Sequence, residues 1–271
     1  MEWRSARSWS GTTIRLVSTP GGGERVRVVT DHFAQIAAHY DERLGDMGSA
    51  HVIEATVDFL ARLADGGAAL ELAVGTGRIA LPLAAHGVPV SGIELSPAMV
   101  AQLRAKPGGE AIDVTIGDMT TARVEGAFSL VYLVYNTIGN VETQDRQVAC
   151  FANAAAHLAP GGSFVVEVGV PDLRRLVPGQ DAVVFAHAPG YVGYDRYVDL
   201  VAQRAVSHHF SVDGGGVSEF RTPFRYVWPS ELDLMARLAG LVLQERWSGW
   251  DRSPFTGSSA SHVSVWQKPP A

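Results

Sequence analysis

The sequence predicts an α/β fold organised as a doubly wound open sheet, with a small β insertion late in the chain. Three observations carry that prediction. Residues 68–94 read as an apolar strand ending in Glu71-Leu72-Ala73-Val74, a turn Gly75-Thr76-Gly77, a helix over 78–86 and a second strand ending on Glu94. Apolar runs of strand length alternate with stretches of helical spacing from residue 51 to residue 170. Residues 171–228 break that alternation, with Tyr191, Tyr194 and Tyr197 recurring ahead of a loosely alternating run.

Taken in order, residues 1–30 carry Trp3, Trp9 and Gly21-Gly22-Gly23 without any period, which reads as a flexible arm. From Asp31, Phe33, Ile36, Ala37 and Tyr40 fall at helical spacing and predict a helix running into His39-Tyr40-Asp41-Glu42-Arg43. Residues 51–63 predict a second helix, stopped by Asp65-Gly66-Gly67. After the unit at 68–94, Ser96 as N-cap and Pro97 at the first position open a helix over 97–106, and Pro107-Gly108-Gly109 breaks it. Residues 111–116 are a strand leading to Asp118. Residues 128–134 are a near-continuously apolar one, as a parallel strand buried on both faces requires. Thr143 or Gln144 opens a helix to Leu158, closed by Ala159-Pro160-Gly161-Gly162 before a strand over 164–170 that contains Glu167. In the insertion, Asp213-Gly214-Gly215-Gly216 is a turn between strand-like runs over 198–210 and 217–228, which gives an antiparallel hairpin or small sheet. Ser230 as N-cap, with Asp233 near the capping-box position, starts a helix ended by Gly240. Residues 241–247 and 262–266 are the last two strands, joined by the Ser- and Gly-rich stretch 248–261.

Composition narrows the function classes. With 46% hydrophobic and 18% charged residues, the 271-residue chain can bury a sizeable core. Its 22 basic residues against 28 acidic ones are scattered, with no basic stripe interleaved with aromatics, which argues against a nucleic-acid partner. The single cysteine, Cys150, excludes an intrachain disulfide and a zinc-type cysteine set, fits a reducing cytoplasm, and lies in an apolar helical pattern as a small core residue. No apolar run approaches membrane-spanning length, and the N-terminus lacks the apolar core of a secretion signal.

The glycine turn lets backbone N–H groups approach a ligand, and an acid one strand over can accept bonds from ribose hydroxyls. The unit is therefore a site for a nucleoside-bearing cofactor. A dinucleotide turn usually carries a third glycine, replaced here by Ala80. Glu71, within the strand before Gly75, would repel a pyrophosphate and suits a cofactor with an ammonium group. Glu71 to Gly77 closely resembles the first motif of class I S-adenosylmethionine-dependent methyltransferases, E/D-x-x-x-G-x-G. Glu94 resembles the ribose-binding acid of that family, and Asp118 with Met119 resembles the pair that holds adenine. The resemblance covers residues 31–171 and recurs at the C-terminus.

It implies a Rossmann-like seven-stranded sheet with an antiparallel last strand, and a small antiparallel β insertion after the fifth strand, as in sugar N-methyltransferases and related natural-product enzymes. The organisation expected is an arm over 1–30, a core of 31–170 and 229–271, and an insertion over 171–228 that covers an acceptor pocket. The cofactor implied is S-adenosyl-L-methionine. Its contacts fall on Tyr40 and Arg43 of a lid helix (Tyr40 toward the methionine part, Arg43 toward its carboxylate). Further contacts are Glu71, Ala73, Gly75, Gly77 and Arg78 around the turn, then Glu94, Leu95 and Met99, then Asp118 and Met119, and Tyr135. Tyr135, Asn136 and Asn140 follow the fourth strand, where the family places acceptor contacts.

Methyl transfer to an amine or hydroxyl requires that a proton leave; the catalytic candidates are His208 and His209, one of which alternation puts on the inner face of its strand as the base, and Glu167, which with Tyr135, Asn136 and Asn140 would orient the acceptor. The expected partner is a small-molecule acceptor, with no metal, nucleic acid or membrane; a homodimer is compatible with all of this. Two other readings stay open. An NAD(P)-dependent oxidoreductase is opposed by Glu71 and by the lack of an evident Tyr-x-x-x-Lys arrangement, and a non-catalytic cofactor-binding partner subunit would need the same turn.

Overall fold

Strands too short to bury their faces alone form the middle layer of the fold. The computed structural model describes residues 14–15, 27–28, 33–34, 36–43, 45–213 and 216–270. In chain order its strands and helices are β1 (Ile14–Arg15), β2 (Arg27–Val28), α1 (Ala50–Ala64), β3 (Ala69–Leu72), α2 (Ala80–Ala85), β4 (Val90–Glu94), α3 (Pro97–Arg104), β5 (Asp113–Ile116) and β6 (Phe128–Leu133). Then come α4 (Gln144–His157), β7 (Leu158–Gly169), β8 (Ala182–Ala188), β9 (Tyr191–Asp199), β10 (Arg204–Asp213), β11 (Gly216–Arg225), α5 (Pro229–Leu238), β12 (Val242–Trp247) and β13 (Ser261–Gln267).

Seven strands form one sheet in the order β12-β13-β7-β6-β3-β4-β5. The five central strands pair in parallel, and β13 runs antiparallel to both β7 and β12. Side chains of α1, α2 and α3, such as Val57, Leu83 and Leu103, pack on one face. Those of α4 and α5, such as Phe151 and Leu232, pack on the other. Cys150 is fully buried there, and burial pushes its thiol up to about 12, so it is core. The chain winds outward from β3 to β5 and then returns to β6 on the other side of β3. That reversal opens a crevice at the carboxyl ends of β3 and β6, the place where open α/β sheets bind ligands.

Residues after β7 fold into a separate four-stranded antiparallel sheet, β11-β10-β9-β8. It is larger than a hairpin because β8 and β9, bounded by the Gly190 turn at φ +76°, pair in register with the later strands. Its last strand meets the core: a Cβ on Gly139 would lie 3.7 Å from Phe224 Cβ.

Three local expectations are corrected. The helix expected from Asp31 is a series of 3-10 turns, Ala37–His39, Asp41–Arg43 and Gly45–Gly48. Ile36 and Ala37 still face inward, but Gly45 sits at φ +53°, which ends right-handed helix. Pro160-Gly161-Gly162 does not separate helix from strand: Leu158 already pairs with Phe128, and the ladder resumes at Leu130 opposite Ser163. The N-cap of α5 is Trp228 rather than Ser230, because Pro229, with its fixed φ, takes the first helical position. Asp233 is then free of capping and pairs with Arg246 at 2.7 Å. Most of the arm over 1–30 lies outside the described residues, as do Asp31 and the side chain of Arg43; the described part of the arm pairs Ile14 with Val28. Among the described residues, no helix is long and apolar enough to cross a membrane, and no group of His, Cys, Asp and Glu could hold a metal ion.

Candidate cofactor and acceptor site

The crevice is built on two strained turns. After β3, Ala73, Gly75 and Gly77 take φ of +57°, +56° and +79°. Gly77 is doubly required, since a Cβ there would also lie 3.0 Å from Leu81 and Leu103. After β6, Tyr135 and Asn136 take φ of +60° and +58°, a conformation costing each about 1 kcal/mol or more.

Carboxylates hold both turns. Glu94, at the tip of β4 and 7% exposed, accepts from Gly75 N–H and from Ser96 N–H, each at 2.8 Å. It therefore ties the glycine turn to the start of α3, where Ser96 caps and Met99 N–H donates to it. Leu95, beside it, is 54% exposed and presents an apolar side chain at the strand end. Glu167, on β7, accepts from Tyr135 N–H at 2.9 Å and from the Trp250 indole N–H at 3.1 Å. Asn136 completes the second brace, its N–H donating to Glu167 O and its Oδ1 accepting from Gly169 N–H. Burial raises the Glu167 carboxyl above its ordinary value, opposed by these bonds and by the Arg78 charge.

Glu71 is tied into the fold at the base of the glycine turn. It is 3% exposed, accepts from the Tyr132 hydroxyl at 2.9 Å and from Ala80 N–H, and so pins the first turn of α2 to β3. Burial pushes it up to about 8, against the pull of Tyr132 and Arg78. The sign of its pH effect follows. The folded state holds this proton up to about 8, whereas an unfolded glutamate loses it near 4.5. Stability of the cofactor-free protein therefore falls as pH rises from 4.5 through 8, and Glu71→Gln should flatten that dependence in urea titrations run across the window.

Residues 36–43 and 45–48 reach the turns. Thr76 Oγ1 donates to Asp41 Oδ1 at 2.6 Å, Lys106 pairs with Asp41 Oδ2 and donates to Thr76 O at 2.7 Å, and Arg78 donates to Met47 O at 2.9 Å. The Arg78 guanidinium also lies 5.1 Å above the Tyr135 ring. Tyr40 belongs to the same group: burial raises its hydroxyl, Tyr135 and Glu94 add to the effect, and Arg78 opposes it. Tyr40, Arg78, Glu94 and Tyr135 are thus brought together.

Asp118 follows β5. Its Oδ1 accepts from the Thr120 N–H and hydroxyl, and its Oδ2 pairs with Arg146. Burial would raise the carboxyl, but these donors outweigh it and leave it lowered. Met119 packs against the core on the α4 side, and Asn140 ends the 3-10 turn Thr137–Asn140 after β6. The two histidines of β10 face opposite ways. His208 stacks on Tyr194 at 4.7 Å and bonds to Glu219, while His209 bonds to the Tyr191 hydroxyl at 2.6 Å. Sequence reasoning passed over Asp41, Thr76, Lys106 and Trp250. Trp250 lies in a loop whose Ser and Gly content hides it.

The donor set can hold a nucleoside cofactor. Backbone amides converge at the glycine turn, a carboxylate stands at the adjacent strand tip, and an exposed leucine and a further acid lie beyond it. A family model described as "Methyltransferase domain" matches residues 69–162, the stretch that builds these turns. The CcbJ methyltransferase of Streptomyces caelestis is 36% identical, with a TM-score of 0.79 over 89% of this chain and 98% of that one. The chain belongs to the S-adenosylmethionine-dependent methyltransferases.

Within this family, a Streptomyces venezuelae protein described as a dTDP-3-amino-3,4,6-trideoxy-α-D-glucopyranose N,N-dimethyltransferase is 32% identical over 108 residues, 39% of this chain. The match spans 44% of that relative, less than half its length. The sugar N-methyltransferase KedS8 of Streptoalloteichus shares the fold, with a TM-score of 0.60 at 22% identity over 95% of this chain and 99% of that one. The methyltransferase's cofactor is S-adenosylmethionine. Membership settles the dinucleotide oxidoreductase reading against itself.

Proposed function

We propose that this methyltransferase N-methylates an amino group on a sugar or a similar small natural product. The observation that carries the acceptor class is the 32% identity over 108 residues to a relative described as an amino-sugar N,N-dimethyltransferase. S-adenosylmethionine supplies the methyl group already activated on a sulfonium, so the chain's own task is alignment and exclusion of water.

In this reading Glu94 holds the ribose hydroxyls while keeping the glycine turn in place, and Leu95, Asp118 and Met119 receive the adenine. Tyr40, Arg78 and Tyr135 enclose the methionine end. Arg78 joins residues 45–48 to the Tyr135 ring, so it couples their position to the geometry of the second turn. Glu167 acts as the brace of Tyr135 rather than as a base, since its two oxygens serve the Tyr135 and Trp250 N–H groups. Asn136, also bound into that brace, and Asn140 border the acceptor. A homodimer belongs to the same proposal, supported by the exposed Val184, Phe185, Val212 and Val217 of the insertion sheet.

The test is direct. The protein is incubated with S-adenosylmethionine and dTDP-3-amino-3,4,6-trideoxy-α-D-glucopyranose, and the product is read by mass spectrometry. One or two added methyl groups, retained on nitrogen after hydrolysis, is the expected result. Methylation only of the hydroxylated counterpart would overturn it.

A further inference from the structure

Register sorts the two faces of the insertion sheet. Ala205 on β10 lies opposite Phe224 on β11 and Tyr197 on β9. Phe224 approaches Gly139, so this face turns toward the Thr137–Asn140 turn at the carboxyl end of β6. Side chains two residues along a strand share a face, and the next rung is Ser207 with Asp195 and Thr222. That rung is about 7 Å from the Phe224 rung, whereas His209, a rung further, is about 14 Å away. His208, at odd spacing from Ala205, is on the opposite face.

Asp195 is half-buried among these side chains. Ser207 Oγ donates to Asp195 Oδ1, which aims the carboxylate. Burial raises the carboxyl, offset in part by Ser207 and by His208. Among the described residues, no lysine or arginine forms an ion pair with Asp195. A carboxylate withdrawn from water is costly unless a cation or several donors meet it, and hydroxyls meet this need only in part. Tyr197, on the neighbouring rung, adds an aromatic wall of the kind that favours cations.

We propose that Asp195 is the acceptor-recognition carboxylate of this methyltransferase, taking up the acceptor's amino group on the inner face of the insertion sheet. It forms an ion pair with the ammonium form and accepts an N–H bond from the neutral amine. The inference rests on the N-methylation reading above and adds the residue that selects nitrogen over oxygen.

The test compares binding of dTDP-3-amino-3,4,6-trideoxy-α-D-glucopyranose with its 3-hydroxy counterpart, using full-length protein saturated with S-adenosylhomocysteine so that no turnover intervenes. Calorimetry should show wild type preferring the amino compound by roughly tenfold or more, and Asp195→Asn should abolish that preference, with affinity for S-adenosylhomocysteine unchanged. Asp195→Glu should keep part of it. If Asp195→Asn fails to fold, Ser207→Ala carries the test, since it removes only the bond that aims the carboxylate; a reduced preference is expected. An undiminished preference in the folded Asp195→Asn or Ser207→Ala protein overturns the inference and leaves the N-methylation reading standing. A wild type that takes neither probe, or prefers the hydroxy compound, overturns that reading, and the inference falls with it.

Discussion

Glu94→Ala is expected to weaken S-adenosylmethionine binding by about 100-fold or more, read by calorimetry on protein whose circular dichroism is unchanged. The carboxylate accepts from Gly75 N–H and Ser96 N–H, both at 2.8 Å, in a site only 7% exposed. Bonds to a charged acceptor are each worth about 1.5–3 kcal/mol, and a buried donor left without an acceptor adds its own penalty. Two such donors are stranded at once. One belongs to the glycine turn and the other to the start of α3, the two segments that flank the proposed ribose site, so the loss is expected in ligand affinity as well as in stability. Glu94→Gln should fall between, because an amide offers one acceptor oxygen where the carboxylate offers two, and its NH₂ would confront one of the two backbone N–H groups. Affinity within threefold of wild type in Glu94→Ala would remove Glu94 from the cofactor site altogether.

Glu94 was legible because everything that places it is local. Its strand and the glycine turn lie within one βαβ unit, and Ser96-Pro97 announces the next helix. The same holds for the sheet order, since buried parallel strands, connecting helices and a closing antiparallel pair leave their periods in the chain. What escaped was carried by pairs distant in sequence. Thr76 meets Asp41, Lys106 meets Thr76, and Trp250 meets Glu167 across 83 positions. No period marks such a pair. The lid segment misled for a related reason: its apolar spacing is shared by α-helix and by successive 3-10 turns, and Gly45 and its tertiary bonds decide between them. Glu71 stands out in the sequence as an acid inside an apolar strand, but its partner Tyr132, 61 positions away, comes only from the fold. The histidines needed a register: alternation says that one of them faces inward, and only the pairing with β9 and β11 says which.

Arg225→Met is expected to cost about 3 kcal/mol, measured by urea unfolding, even though Arg225 touches neither proposed pocket. Arg225 is 3% exposed at the end of β11, where the insertion rejoins the core. Its guanidinium donates to Gln147 Oε1 on α4 at 2.5 Å, to Gln203 Oε1 at 2.9 Å and to Glu231 Oε1 on α5 at 2.7 Å. Glu231 in turn accepts from Gln144 and Gln203, and Gln147 donates to Ile138 O beside the acceptor turn. Burial alone would raise the Glu231 carboxyl, but the bonds from Arg225, Gln203 and Gln144 leave it lowered. Removing the arginine leaves the part-buried Glu231 carboxylate with amide donors but no cation, and takes a donor from two glutamine oxygens. The figure sits at the lower end for a broken buried pair because the Glu231 side chain keeps 14% of its exposure. The sign of the pH effect supports the assignment. With its pKa depressed in the fold, Glu231 contributes stability above about 4.5 that is lost as pH falls through the folded value, and Arg225→Met should lose that acid-sensitive share. Arg225→Met combined with Glu231→Leu should recover most of the deficit, since replacing both members of a buried pair is often neutral. Arg225→Lys should retain the charge but lose the fork that reaches three partners at once. Because the same fork fixes the insertion sheet against the Thr137–Asn140 turn, that variant should raise the acceptor KM while leaving S-adenosylmethionine affinity intact. Wild-type stability and acceptor KM in Arg225→Lys would mean that the insertion is held by its apolar contacts alone.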